Sequence, residues 1–118
     1  MLPRTSRLNV SGDFRSTIRR GTRVGRPTLV LHAGVSPTRS GVRVGFVVSK
    51  AVGNAVVRNR VKRRLRHLAA EHLVASEAGV DVPGIDVVVR ALPASAAAGS
   101  QLGTELTSAW TKARGRLS

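Results

Sequence analysis

The sequence predicts an α/β (α+β) two-layer sandwich, in which helices cover one side of a small central sheet. Three observations favour this fold class: a strand of alternating apolar residues, a long helix with one apolar arc, and helices interleaved with strands. The predicted order is helix, strand, strand, helix, strand, helix. With 118 residues, of which 42% are apolar, the chain suits a single folded domain over 1–118 with a modest core.

The first half of the chain predicts one short helix and two strands. Ser11 can cap a helix that ends before Gly21, and TLVLH (28–32) is typical of a strand. The turn-rich segment 33–41 leads to VRVGFVVS (42–49), which we expect to form a hairpin with the first strand. The face of this second strand expected in the core consists of Val42, Val44, Phe46 and Val48. The opposite face, which can be approached closely, consists of Arg43, Gly45, Val47 and Ser49.

The second half predicts two helices around a third strand. Asn54 can cap the main helix, which extends over about 54–75. IDVVVRA (85–91) is the third strand. The final helix carries an apolar face formed by Leu102, Leu106, Ala109, Trp110 and Ala113. If the strands on either side of the main helix are parallel, the default crossover between them is right-handed.

The formal net charge is +14, from 20 basic and 6 acidic side chains. Such a charge repels itself unless an anionic partner neutralises it. All but three of the cations are Arg, whose planar fork suits phosphate oxygens and bases. Nucleic acid is therefore the expected partner, and an anionic membrane surface or an acidic protein is the alternative.

The charge is concentrated on the main helix, where six of the nine residues over 58–66 are cationic. Like charges four residues apart destabilise a helix by roughly 0.2–0.5 kcal/mol per pair, a cost that a polyanion would reverse. Helices that bind membranes or calmodulin-like proteins usually carry Trp, Phe or many Leu, whereas this one carries Val. No helix-turn-helix or zinc-finger spacing is present, so RNA is favoured over DNA. Ordinary solvated charge is expected for Arg4, Arg19, Arg20, Arg114 and Arg116.

The sequence predicts no catalytic residue and no metal ligand on this chain. None of the six acids has the spacing of an obvious acid–base pair, and His32, His67 and His72 have no metal-ligand spacing. A helix start beside Lys50 could hold a phosphate, although the rest of a phosphate-loop motif is missing. The chain has no Cys, no run of membrane-spanning length and no apolar secretory signal, so we expect a cytoplasmic protein with no membrane partner.

The segment SKAVGNAVVRNRVKRRLR (49–66) resembles the arginine-rich RNR motif of the protein subunit of bacterial ribonuclease P. The resemblance continues through SGDFRSTIRRGTR (11–23), VRVGFVVSK (42–50) and IDVVVRALP (85–93), and so covers nearly the whole chain. It implies a left-handed crossover through the basic helix, and we follow it on that point.

The resemblance also implies a function. In that family a large RNA is the catalyst and removes the 5′ leader from precursor tRNA, using Mg²⁺ held mainly by the RNA. The expected partners are therefore the catalytic ribonuclease P RNA and precursor tRNA, with no obligatory protein partner. Residues expected to contact RNA through the RNR motif are Lys50, Asn54, Arg58, Asn59, Arg60, Lys62, Arg63 and Arg66. Residues expected in the leader cleft are Phe14, Ile18, Leu29, His32, Arg43, Val47, Ser49 and Arg90.

This chain departs from the family at the cleft, where Ile18, Leu29 and His32 occupy positions that are commonly aromatic. Stacking on an aromatic ring is worth about 1–3 kcal/mol per base, so we expect leader binding here to depend more on charge and shape. Two other functions stay open: an RNA-binding module such as a ribosomal or chaperone protein, and a protein-based nuclease. The missing carboxylate cluster argues against the nuclease.

Overall fold

The computed structural model describes residues 11–77 and 83–117, and within them the side chains of 16–35, 41–72 and 84–117. The elements in chain order are α1 (Ser11–Arg20), β1 (Thr22–Gly25), β2 (Leu29–Ser40), β3 (Val42–Val47), α2 (Ala55–Glu77), β4 (Pro83–Ala91) and α3 (Gln101–Leu117). Short 3-10 turns lie at Lys50–Val52 and Pro93–Ala97. The predicted fold class is confirmed, with the four-residue strand β1 added to the predicted order.

The four strands form one sheet in the order β1-β2-β4-β3. The predicted hairpin between the strands β2 and β3 is wrong, because β4 lies between them and is antiparallel to β2 and parallel to β3. Val87, Val88 and Val89 of β4 are at most 3% exposed, so this strand is apolar on both faces. A strand of that kind belongs in the centre of a sheet, whereas the half-polar β3 can occupy the edge.

The parallel pairing of β3 with β4 makes the intervening chain a crossover through α2. Its left-handed sense stays a prediction from the resemblance. At the other end of β3, Gly41 has φ +83°, a left-handed conformation that glycine adopts without steric cost. This turn carries the chain from β2 past the start of β4, where the Ile85 amide donates to the Gly41 carbonyl at 3.0 Å.

The main core lies between one face of the sheet and the helices α2 and α3. Val42 and Val44 are buried there, and Phe46 and Val48 pack against the same cluster, as the alternation predicted. The predicted apolar face of α3 is buried in full. The fully buried Leu and Val side chains of this core are Leu29, Leu31, Val44, Leu65, Val89, Leu102 and Leu106.

Polar contacts fasten α3 to the other elements. The Glu105 carboxylate accepts hydrogen bonds from the Thr28 amide at 2.9 Å and from the Thr28 hydroxyl at 2.6 Å. The His72 ring of α2 stacks on Trp110, with ring centroids 5.2 Å apart. Thr107 Oγ1 lies 3.0 Å from Nε2 of the same histidine. These contacts fix α3 against both β2 and α2.

The C-terminal end of α1 packs on the opposite face of the sheet. The helix ends where predicted, and the Gly21 amide donates to the Thr17 carbonyl at 2.9 Å. A Cβ atom on Gly21 would lie 2.5 Å from the Ala33 carbonyl oxygen, so the chain touches β2 at this point. A Cβ atom on Gly34 would lie 3.7 Å from the Gly21 Cα. The second face of the sheet and α1 therefore bound a separate cleft.

None of the helices in the ranges 11–77 and 83–117 has the length and apolar character needed to cross a membrane.

Candidate functional site

The entry into the basic helix is held by a tight turn. Val52 is buried, whereas Lys50 on the same 3-10 turn is exposed. A Cβ atom on Gly53 would lie 2.9 Å from the Val57 side chain, so the glycine permits the close approach. Asn54 Oδ1 accepts a hydrogen bond from the Val57 amide at 3.0 Å, which is the N-cap predicted from the sequence.

One stripe of α2 forms an open cationic groove. It is lined by Asn59, Lys62, Arg63, Arg66 and His67. These positions recur at spacings of three and four residues, so their side chains occupy one side of the helix. The opposite side carries Val61, Leu65 and Ala69, all buried in the core. Four of the residues expected from the sequence to contact RNA thus share one surface; His67 is an addition, which its position four residues after Arg63 could have suggested.

The other expected contacts of the RNR motif lie around this groove. Arg60 is exposed but does not line it. Arg58 is half-buried at the border of the core, and its Nε has no hydrogen-bond partner among the described residues. Arg64, which was not among the expected contacts, donates to the Gly99 carbonyl. The basic helix therefore combines an accessible cationic side with one arginine committed to the fold.

The groove cations have no acidic partner in the part of the chain that the structure describes. Over 55–72, the part of α2 whose side chains the structure describes, Glu71 is the single acidic residue against six Lys and Arg. Lys62, Arg63 and Arg66 make no hydrogen bond or ion pair with any residue in the described ranges. This arrangement keeps three positive charges together and available to phosphate groups.

The cleft face of the sheet is arranged in rows set by the strand register. The outer row contains Gly25, Val30, Arg90 and Val47 in adjacent strands. The middle row contains Arg23, His32, Val88 and Gly45. The inner row contains Gly34, Asp86 and Arg43. The expected cleft residues His32, Arg43, Val47 and Arg90 are thus brought onto one face.

Leu29 does not belong to this cleft, and its expected placement there is wrong. Its side chain is fully buried in the main core beside Ala91, its register partner. Successive residues of a strand point to opposite faces, so Leu29 and His32, three residues apart, cannot share one. Val30 takes the cleft position instead, and the alternation rule could have identified it from the sequence.

His32 lies on the cleft face but is only 5% exposed. Neither ring nitrogen has a hydrogen-bond partner among the described residues. Burial, together with the nearby Arg23 and Arg90 guanidinium groups, lowers the pKa of this imidazole from its ordinary value. This shift favours the neutral form of the ring on the cleft face.

Arg43 is paired with an acid that the sequence reasoning did not connect to it. Its Nε lies 2.9 Å from Asp86 Oδ1, and its terminal nitrogen lies 3.0 Å from Asp86 Oδ2. This two-point geometry is the favoured arrangement of guanidinium and carboxylate. Part of the positive charge expected at the inner row is therefore balanced by Asp86.

The accessible part of the cleft is its outer end. Arg90 and Ser49 are exposed, and Val47 is half-buried. Ile18 of α1 is 38% exposed, which fits a helix wall of the cleft. The Phe14 side chain, expected beside it, lies outside the described side chains. The outer row thus offers a surface with an exposed cation, Arg90, whereas His32 in the middle row is buried.

The part of the chain that the structure describes contains no group of three His, Asp or Glu side chains placed to hold a metal ion.

Comparison with known proteins agrees with these features. A family model described as Ribonuclease P matches residues 2–114. The chain is 52% identical over 110 residues to the ribonuclease P protein component of a Nocardioides species, covering 90% of this chain and 89% of the relative. It is 49% identical over 118 residues to that of Streptomyces bikiniensis, covering 92% of each.

Solved structures give the same result for the fold. The RNase P protein of Staphylococcus aureus superposes with a TM-score of 0.78 at 25% identity, covering 92% of this chain and 94% of that one. The RNase P protein of Thermotoga maritima superposes with a TM-score of 0.56 at 25% identity, covering 94% and 91%. Because the family model covers nearly the whole chain and the curated relatives are about half identical to it, the chain belongs to the ribonuclease P protein family.

Proposed function

We propose that this chain binds the catalytic RNA of ribonuclease P through the basic helix, and the single-stranded 5′ leader of precursor tRNA through the outer end of the cleft. The observation that carries the proposal is the groove on α2, where Lys62, Arg63 and Arg66 stand together with no acidic partner among the described residues. Phosphate groups of an RNA would neutralise these cations, with release of the counterions that surround the RNA.

The remaining expected contacts of the RNR motif flank the groove and would extend this surface. Lys50 and Asn54 lie at the start of the helix, and the exposed Asn59 and Arg60 follow one turn later. Arg58 would contribute least, because it is half-buried at the core border. Exposed arginines can move to meet phosphates at small cost, whereas a half-buried one is restricted by its packing.

For the leader, the proposal uses the outer row and the segment that follows β3. Arg90 supplies charge, the half-buried Val47 supplies apolar contact, and Ser49 leads towards Lys50. Ile18 supplies an apolar wall in place of an aromatic ring. Binding of this kind relies on backbone charge and shape, which suits leaders of differing sequence.

In this function the reaction centre lies on the RNA, and Mg²⁺ acts there. The protein residues named above bind and orient RNA, and none of them is assigned a metal or a proton-transfer step. The expected location is the cytoplasm, where precursor tRNA is processed, and no further protein is required.

The test is reconstitution of the purified chain with bacterial ribonuclease P RNA and precursor tRNA at low Mg²⁺. We expect the chain to stimulate leader removal, and the triple variant Lys62→Gln/Arg63→Gln/Arg66→Gln to lose most of that stimulation. Arg64→Gln serves as the comparison on the same helix, because Arg64 donates to Gly99 and does not line the groove. RNA binding without stimulation would support a general RNA-binding module instead, and cleavage by the chain alone would support a protein nuclease.

A further inference from the structure

The edge of the sheet farthest from the basic helix carries a second set of cations. β3 and β1 are the two edge strands, and α2 contacts β3 whereas α3 contacts β1 and β2. On the β1 side, Arg23, Lys112 and Arg116 are all exposed. These three residues are called the β1 ridge. No sequence pattern groups them, because Arg23 and Arg116 lie 93 residues apart in the chain and β1 was not predicted.

Hydrogen bonds hold α3 against β1 at two points. Arg116 donates to the Arg23 carbonyl at 3.0 Å, and the Arg26 guanidinium donates to the Ser108 hydroxyl at 3.0 and 3.1 Å. Positions 108, 112 and 116 recur every four residues, so they form one stripe along α3. Two helical turns and three strand residues both extend for roughly 10–12 Å. α3 therefore runs beside β1 with Lys112 between the two hydrogen-bonded points.

Glu105 marks the acidic limit of the ridge. It lies on the same side of α3 beyond Ser108, and its carboxylate is used by Thr28 and Gln101. Lys112 has no hydrogen bond or ion pair with the described residues, and the bond that Arg116 makes among them goes to a backbone carbonyl, which carries no net charge. The positive charge of Lys112 and Arg116 is thus available to an anion, as it is on the groove of α2.

The cleft leads to this ridge. Its outer row crosses the sheet from Val47 through Arg90 and Val30 to Gly25 on β1. A Cβ atom on Gly25 would meet nothing within 4 Å, so the row is open at that edge. Three strand spacings amount to roughly 14 Å, which only a few nucleotides would span. A strand that followed this row from the α2 side would reach the edge at Gly25, two residues from Arg23 on β1.

From this continuity we infer that the β1 ridge binds the distal, 5′ part of the leader after it has crossed the cleft. The inference rests on the proposed function and adds to it a dependence of affinity on leader length. Arg23 joins the two surfaces, since it is the register partner of His32 and belongs to the middle row of the cleft. Lys112 and Arg116 then continue the path around the edge of the sheet. The ligand is the phosphate backbone, so the interaction depends on charge and is not specific for base sequence.

The experiment compares precursor tRNAs with leaders of roughly 4 and roughly 16 nucleotides, the range of single-strand site sizes on small folds. With the reconstituted holoenzyme we expect the longer leader to bind more tightly. Lys112→Gln should reduce this preference by about threefold, the effect of one screened surface charge. Lys112→Gln/Arg116→Gln should abolish most of it. The salt dependence for the long leader should then become less steep by about 0.7 for each phosphate that is no longer neutralised.

Two control variants separate charge from structure. Arg64→Gln removes the same charge from α2 and should keep the wild-type ratio of long-leader to short-leader affinity, whatever its absolute affinity. Arg116→Lys keeps the charge but alters the bond to the Arg23 carbonyl, and should keep the length preference. Binding of matching single-stranded oligoribonucleotides to the free chain repeats the comparison without the catalytic RNA.

The outcomes distinguish this inference from the proposed function. If the double variant keeps the wild-type length preference in both assays, the inference that the β1 ridge binds the leader is wrong, even if leader removal is stimulated normally. An equal loss for both leader lengths would also overturn it, because the ridge would then touch the tRNA body or the catalytic RNA. If the chain fails to stimulate leader removal at all, the proposed function is wrong, and the oligoribonucleotide comparison still decides whether the ridge binds a single strand.

Discussion

Arg66→Gln should stabilise the free protein while it weakens RNA binding. Arg66 is exposed on α2 and lies four residues from Lys62 and three from Arg63, with no described acidic partner. Each such like-charge pair costs about 0.2–0.5 kcal/mol, so relief of two pairs gives about 0.4–1 kcal/mol. For a domain of this size that corresponds to a rise in Tm of about 2–4 °C. The same substitution removes one phosphate interaction and should lower the slope of log affinity against log salt by about 0.7–0.9.

The assay is thermal unfolding at low ionic strength, paired with RNA binding over a series of salt concentrations. Arg64→Gln is the matched control, because it removes the same charge from the same helix. Its guanidinium donates to the Gly99 carbonyl, so this variant should lose stability rather than gain it. The stability gain of Arg66→Gln should disappear at high salt as the repulsion is screened. If Arg66→Gln is destabilised at low salt, Arg66 has a structural partner and the reasoning about the groove is refuted.

Three further predictions concern the fold that holds the site. Gly21→Ala should lower the free energy of unfolding, measured by chemical denaturation, by about 1–3 kcal/mol, because its Cβ would lie 2.5 Å from the Ala33 and Thr17 carbonyl oxygens. Gly25→Ala is the control and should stay within about 0.5 kcal/mol of the parent, since there is open space at its Cβ. Equal effects of the two substitutions would argue against the tight contact of α1 with β2. Hydrogen bonds from Thr28 and Gln101 lower the pKa of Glu105 below 4.5, so the stabilising effect of its carboxylate is present above that pH and lost as pH falls. Glu105→Gln should therefore lower Tm at neutral pH, and the difference in Tm from the parent should shrink in acid. Burial lowers the pKa of His32 and of His72 below 6.5, so the unfolded chain binds more protons than the folded one and stability should decline as pH falls below about 6.5. His32→Phe should make that decline shallower. An unchanged dependence of stability on pH would mean that His32 does not contribute.

Much of the site was predictable because it is local in the chain. Asn54 caps the helix, and the spacing of Asn59, Lys62, Arg63 and Arg66 places them on one side of it. A helix converts sequence spacing directly into spatial proximity, since residues three and four apart are neighbours whatever surrounds the helix. The buried faces of β3 and α3 follow from the same kind of periodicity.

The rest depended on which strands lie next to each other. Only the tertiary structure placed β4 between β2 and β3, paired Asp86 with Arg43, and brought Arg23 beside Arg116. Strand order is decided by which strand loses most by exposure of its two faces, and that competition involves the whole sheet rather than any one segment. The periodic chain therefore determined which side of each element is charged or apolar, whereas the assembled sheet determined which of those sides share a cleft or an edge.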